Sequence, residues 1–328
     1  MVKNEWIAKG YVDEPIDSSL DLKKEIRRMC KEKDAIILAH YYTVGEIQEI
    51  ADFVGDSLAL ARKAAETDAR MMVMCGVHFM AETCKLLSPD KVVLCPDLTA
   101  GCSLADSCKA EDLKRYKEEH PGYKVVSYVN TTAAVKALTD CVVTSGNAKK
   151  VIDSFPEDEK LIFGPDYNLG NYINSVTGRH MLLWNGGCHV HEKFSVAGIV
   201  QLKAAHPEAV VMAHLECKAP VLAMADVKGS TATMLHYAQQ SDKKEFIVAT
   251  EAGILHELER TCPDKRFYPV PPEVTEGVGC SCNECEYMKK NTLSKIYNTL
   301  KYGWPSVEID PAIAREAVKP IEKMLSLS

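Results

Sequence analysis

The sequence predicts an α/β protein made of three related units, each built on a parallel sheet. Three observations carry this. A short apolar run ending in two polar residues, spaced two apart, occurs three times. Ala35 to Ala39 precedes His40 and Tyr42, the run from Lys124 ends in Tyr128 and Asn130, and the run from Ala209 ends in His214 and Glu216. Runs that are apolar throughout suit strands buried on both faces. The first members of these pairs lie about 86–88 residues apart, a period that marks an internal repeat. Other features keep the same period in the same order, and short apolar strands alternating with helical stretches imply βα units.

Along the chain, residues 1–33 read as an N-terminal extension. Asp17-Ser18-Ser19 is placed to cap a helix over Leu20–Lys33, with Leu22, Ile26 and Met29 on one face. After each polar pair comes a serine that opens a helix: Ser57 in GDSLAL, Ser145 in VTSGNA and Ser230 in KGSTAT. A second apolar strand follows, as MMVMCG, KLIFGP and EFIVATE, and then a third, as KVVLCP, HMLLWN and RFYPV. Each third strand leads into a glycine-containing loop that ends in cysteine: Cys102, Cys188, and the cluster Cys280, Cys282 and Cys285. A helical tail follows, over Tyr287–Tyr302 and Pro311–Leu325. The expected divisions are 1–103, with the helices of 289–328 packing back on it, then 104–189, then 190–288.

Composition limits the class of function. With 26% charged residues and a net charge of −7, nucleic acid is disfavoured as a partner. No apolar run approaches the roughly 20 residues needed to span a membrane. The start, MVKNEWIAKGYVDEP, has no signal-peptide apolar core, so a cytoplasmic location is the default. Thirteen cysteines without an export signal argue for free thiols, a few of them doing metal or redox work, over a disulfide framework.

Ligands of parallel sheets bind beyond the carboxyl ends of the strands, and residues two apart on a strand point the same way. Three units about a pseudo-threefold axis would therefore aim their polar pairs, and their cysteine loops, at one centre. One cysteine from each unit gives three thiolates around a point. Structural zinc wants a fourth protein ligand. An iron–sulfur cluster on three cysteines leaves one iron open as a Lewis acid for dehydration. On spacing alone, Cys280, Cys282 and Cys285 are rivals for the third place, and a zinc or redox site built on those three is the non-catalytic alternative.

Taken together, AHYYTVGEIQEIADFVGDSLAL, GCSLAD, SYVNTTAAVKA, VVTSGNA, GCHVHEKF, AHLECKAPV, KGSTATM and CEYMKKNTL resemble the quinolinate synthase family of bacterial NAD biosynthesis, over about Asp34 to Leu300. The resemblance implies three homologous α/β/α (Rossmann-like) domains in a triangle around a [4Fe–4S] cluster. It implies condensation of iminoaspartate with dihydroxyacetone phosphate to quinolinate, phosphate and water. It also implies an aspartate oxidase or dehydrogenase as the source of the unstable imine. Another hydro-lyase with a three-cysteine cluster is the alternative enzyme. By the resemblance Cys102, Cys188 and Cys285 are the cluster ligands, and His40, Tyr42, Tyr128 and Asn130 face substrate. His214 and Glu216 form the third pair, with Glu216 the general base, since a carboxylate beside an open metal site and a histidine can take a proton. Ser57, Ser145, Ser230 and Thr231, at helix starts, are expected to meet anionic substrate groups. His191 is expected to orient the cluster region.

Overall fold

The computed structural model describes residues 2–273 and 283–328, so Cys280 and Cys282 lie outside the described residues. Three four-stranded parallel sheets form, each in the order second–first–third–fourth. The first holds β1 (Ala35–His40), β2 (Phe53–Gly55), β3 (Met71–Cys75) and β4 (Val92–Leu94). The second holds β5 (Lys124–Tyr128), β6 (Cys141–Val143), β7 (Leu161–Gly164) and β8 (Leu182–Leu183). The third holds β9 (Val210–His214), β10 (Val227–Gly229), β11 (Glu245–Ala249) and β12 (Arg266–Pro269). Helices between the strands cover the sheets, so the three α/β units read from the sequence are present.

The edge strands β2, β6 and β10 were not anticipated. They are three residues long, too short to show an alternation, and their registration depends on one repeated aspartate. Asp52, Asp140 and Asp226 each accept a hydrogen bond from the backbone N–H of Ile37, Val125 and Val211, at 2.8 Å in every unit. Each also donates its own N–H to the carbonyl of that same residue. The pairing leaves His40, Tyr128 and His214 opposite Gly55, Val143 and Gly229, at the carboxyl edge of each sheet.

Several helix boundaries differ from expectation. The first long helix is Leu22–Lys33, capped by Asp21, whose carboxylate accepts from Lys24 N. The stretch expected as one helix over Tyr287–Tyr302 is two, Glu286–Lys289 and Leu293–Tyr302. Thr292 caps the second, and buried Asn291 turns its amide to Gly76 O (2.8 Å) instead of continuing the helix. The tail also divides. Leu293–Tyr302 lies against Leu22–Lys33, whereas Pro311–Leu327, expected on the first unit, packs mainly on β6 and the helix Ala133–Lys136 of the second. Its apolar stripe, Ala317, Ile321 and Met324, joins a core cluster that runs from Leu38 and Met72 of the first sheet to Val126 and Phe163 of the second. A helix that seals two units at once buries more apolar surface than one laid on the first alone. Among the described residues no helix is long and apolar enough to cross a membrane.

The third unit closes against the first at a glycine. A Cβ on Gly253 would meet Tyr42 Cα at 2.8 Å, closer than real contacts allow, so only glycine lets β11's exit loop approach this strand end. Gln48 Nε2 fastens the approach, donating to Gly253 O at 2.9 Å.

Candidate functional site

The carboxyl edges of the three sheets meet at one pocket. It is lined by His40, Tyr42 and Ser57 from the first unit, Tyr128, Asn130 and Ser145 from the second, and His214, Glu216 and Thr231 from the third. Cys102, Cys188 and Cys285 line the same pocket. Ser230 does not. It is buried behind the wall and caps the helix Thr231–Gln240 through Thr233 N (3.2 Å).

The serine positions are equivalent in sequence but not in structure. Only Ser230 is an N-cap. Asp56 caps the helix Ser57–Glu66, placing Ser57 one residue inside it. Asn147 precedes the helix Ala148–Asp153 and accepts from Thr144 N (2.7 Å), leaving Ser145 in the turn. Ser145 Oγ is 3.2 Å from His214 Nε2, so it bridges the second and third units.

The three cysteines share a local design. Each is followed by a helical turn: Ser103–Ser107 after Cys102, His191–Lys193 after Cys188, Glu286–Lys289 after Cys285. In each, the sulfur faces backbone N–H groups two and three residues on: Leu104 and Ala105, Val190 and His191, Tyr287 and Met288. Burial pushes the Cys102 thiol up to about 12 and the Cys285 thiol to about 11, and lifts Cys188 well above the usual range. These N–H groups oppose that rise. Neighbouring sulfurs add to it, Cys285 acting on Cys102 and Cys102 on Cys188. Three half-buried thiols that repel one another as thiolates, each with two N–H donors, fit an inorganic cation core that would neutralise them. The donor set therefore suits a cluster held by one cysteine from each unit.

The polar pairs are set by backbone geometry. Tyr42 N donates to His40 Nδ1 (3.1 Å), and Glu216 N donates to His214 Nδ1 (3.3 Å). Both rings are thus assigned as Nε2–H tautomers. Burial drives His40 down to about 3, helped by His214, and His214 down to about 4 despite Glu216. Both are neutral donors at neutral pH. Burial opposes charge on Glu216, but His191, His214 and the Tyr128 hydroxyl outweigh it and hold the carboxyl below its usual range. Burial and the Glu216 charge together keep the Tyr42 and Tyr128 phenols protonated, far above their ordinary value.

A chain of close polar contacts crosses the pocket. Tyr42 Oη is 2.7 Å from Thr250 Oγ1, Thr250 Oγ1 is 2.9 Å from His191 Nε2, and His191 Nδ1, hydrogen-bonded to Cys188 Sγ at 3.1 Å, lies 3.2 Å from Glu216 Oε2. Tyr128 Oη donates to the other carboxylate oxygen, Oε1. Asn130 Nδ2 lies 3.8 Å from Cys102 Sγ, and its Oδ1 is buried without a protein partner.

Sequence reasoning missed Thr250, Glu251 and Lys289. Buried Glu251 accepts from Cys285 N (2.9 Å) and Gly253 N (2.7 Å) and pairs with Lys289 Nζ at 2.9 Å. Lys289 also donates to Tyr42 O (2.8 Å), tying the Cys285 turn to the first unit. Lys289→Met would leave Glu251 buried without its cation. We expect a loss of about 3–5 kcal/mol in unfolding free energy, partly restored by adding Glu251→Gln, as measured by denaturant titration.

Lys136 was also passed over. It is wholly buried, donates to Val129 O (2.8 Å) and Thr131 O, and so holds the loop that carries Asn130. Burial lowers its pKa from 10.5 to about 8. Between these values the unfolded chain binds more protons than the folded one, so this group adds stability as pH rises. The wild-type-minus-Lys136→Met difference in unfolding free energy should grow by about 2–3 kcal/mol from pH 8 to pH 10. A flat difference would show that Lys136 keeps its proton in the fold across this range, with no lowered pKa.

Comparison with known proteins agrees with this geometry. A family model described as quinolinate synthetase A protein matches residues 24–326. A quinolinate synthase from Nostoc punctiforme is 51% identical over 309 residues, covering 94% of this chain and 94% of that protein. One from Chloroherpeton thalassium is 49% identical over 316 residues, covering 96% and 97%. With a family model and full-length relatives spanning all three sheets and every pocket cysteine, the chain belongs to the quinolinate synthase family.

Proposed function

We propose that this chain condenses iminoaspartate with dihydroxyacetone phosphate, giving quinolinate, inorganic phosphate and two water molecules, in NAD biosynthesis in the cytoplasm. Cys102, Cys188 and Cys285 would hold a [4Fe–4S] cluster. Bound there, it supplies an open iron that acts as a Lewis acid for loss of hydroxide. The observation that carries the reading is the meeting of one cysteine per unit with Glu216 in a single pocket.

The protein groups divide the remaining work. Glu216, ionised and buried, takes the carbon-bound proton of the imine and so generates the enamine nucleophile. Tyr42, kept protonated, gives its proton to the departing hydroxyl. The chain through Thr250 and His191 returns a proton from Glu216 to Tyr42, so no net charge accumulates. His40 and His214, as neutral Nε2–H donors, hold substrate oxygens without adding cations. Asn130 Oδ1 is the acceptor for a substrate N–H or O–H. Ser57 and Thr231, at the first turn of their helices, offer hydroxyls to carboxylate or phosphate. The imine hydrolyses in water, so an aspartate oxidase or dehydrogenase must supply it close in time.

The test is to supply anaerobically reconstituted protein with both substrates. Quinolinate and phosphate should appear in equal amounts. Turnover without phosphate release would favour another hydro-lyase instead.

A further inference from the structure

We propose that the cluster-free chain carries a preformed site for one zinc(II) ion on Cys188, His191 and Glu216, and that its occupation excludes the cluster. The three ligand atoms lie within 4.8 Å of one another. His191 Nδ1 is 3.1 Å from Cys188 Sγ and 3.2 Å from Glu216 Oε2. Tetrahedral zinc with ordinary bond lengths separates such atoms by about 3.3–3.6 Å; the two distances from His191 need a few tenths of an ångström of relaxation, and the Cys188–Glu216 separation, within 4.8 Å, closes by at most about 1.3 Å.

The surroundings complete such a site. His191 engages Thr250 Oγ1 through its other nitrogen at 2.9 Å, and Glu216 engages Tyr128 Oη through its other oxygen. Ligands held from behind in this way are oriented and made more basic. The fourth position faces the pocket. A thiolate, an imidazole and a carboxylate favour zinc over magnesium, and by the general order of divalent affinities zinc over iron(II). Cys188 cannot serve both zinc and an iron–sulfur core. Protein that meets zinc before cluster assembly would be trapped colourless, with its base neutralised.

The inference shares Cys188 with the cluster reading but not Cys102 or Cys285, which lets the two fail separately. The test uses full-length, cluster-free protein carrying Cys280→Ser and Cys282→Ser, titrated with zinc against a chromophoric chelator. One zinc per chain is expected. His191→Ala and Glu216→Gln should each weaken binding about 100-fold, and Thr250→Val about tenfold, whereas Cys102→Ala and Cys285→Ala should leave it unchanged. Cobalt(II) in place of zinc should give tetrahedral visible bands with charge transfer from a single thiolate. Prior zinc should block iron uptake on reconstitution, and zinc added after reconstitution should not. The proposal is overturned by absence of binding, by binding that survives His191→Ala but is lost with Cys102→Ala or Cys285→Ala, or by unimpeded iron uptake in zinc-loaded protein. Quinolinate formation in zinc-free buffer is unaffected by any of these outcomes and tests the function by itself.

Discussion

Glu216→Gln is expected to slow quinolinate formation by about 10²–10⁴-fold while leaving iron content unchanged. Glutamine keeps the shape and still accepts from Tyr128 Oη, so the pocket wall should stand. What it loses is the ability to take a proton. Glu216 is the only carboxylate among the polar strand-end pairs, and histidines flank it on both sides: His191 Nδ1 at 3.2 Å and His214 Nδ1 at 3.7 Å from its oxygens. The loss should fall on kcat more than KM, because the missing step is proton removal. Substrate binding is shared with His40, Asn130 and the helix-start hydroxyls. Steady-state assay of the reconstituted variant is the check. Activity within about threefold of wild type would remove Glu216 from the base role.

Alanine at Cys102, Cys188 or Cys285 is expected to abolish activity together with bound iron, whereas alanine at Cys280 or Cys282 should preserve both. Each of the first three lines the pocket and carries the same pair of following N–H donors. A site with three ligands from three units has no spare, so losing one should forfeit the whole core. Iron and sulfide analysis after anaerobic reconstitution checks this. Iron that survives Cys102→Ala but not Cys280→Ala or Cys282→Ala would move the metal to the C-terminal loop and restore the zinc or redox alternative.

The main strands were legible because burial on both faces makes β1 and β9 apolar up to their terminal histidines, and β5 apolar but for Lys124 and Ser127. Their polar terminal residues then stand out at a fixed period. The edge strands were hidden because FVG, CVV and VKG are too short to show any pattern. The available clue was the aspartate just before each, Asp52, Asp140 and Asp226, which keeps the same period and latches the first strand. Equivalent serines misled for the opposite reason. Repetition preserved position, but Asp56 and Asn147 took over at the helix starts, so Ser57 and Ser145 were free to line the pocket.

Thr250, Glu251 and Lys289 could not be reached by periodicity. Thr250 stands directly after β11, where the other units have Gly76 and Pro165, and Glu251 stands where they have Val77 and Asp166, so no residue common to all three units marks either. Lys289 reads as an ordinary helix-surface charge until the fold brings it against Tyr42 O and Glu251. His191 was visible in the GCHVHE loop, but its place between Thr250 and Glu216 depends on contacts across about 59 and 25 positions of chain.

The central claim is that three cysteines, one per unit, hold a single cluster whose open iron faces Glu216 and the strand-end pairs. Mössbauer spectroscopy of protein reconstituted with iron-57, with and without quinolinate, tests it most directly. The account predicts a cuboidal four-iron signal in which roughly a quarter of the intensity, the one iron without cysteine, shifts when quinolinate binds. An iron signal that ignores quinolinate, or a core with no distinct iron, would contradict it.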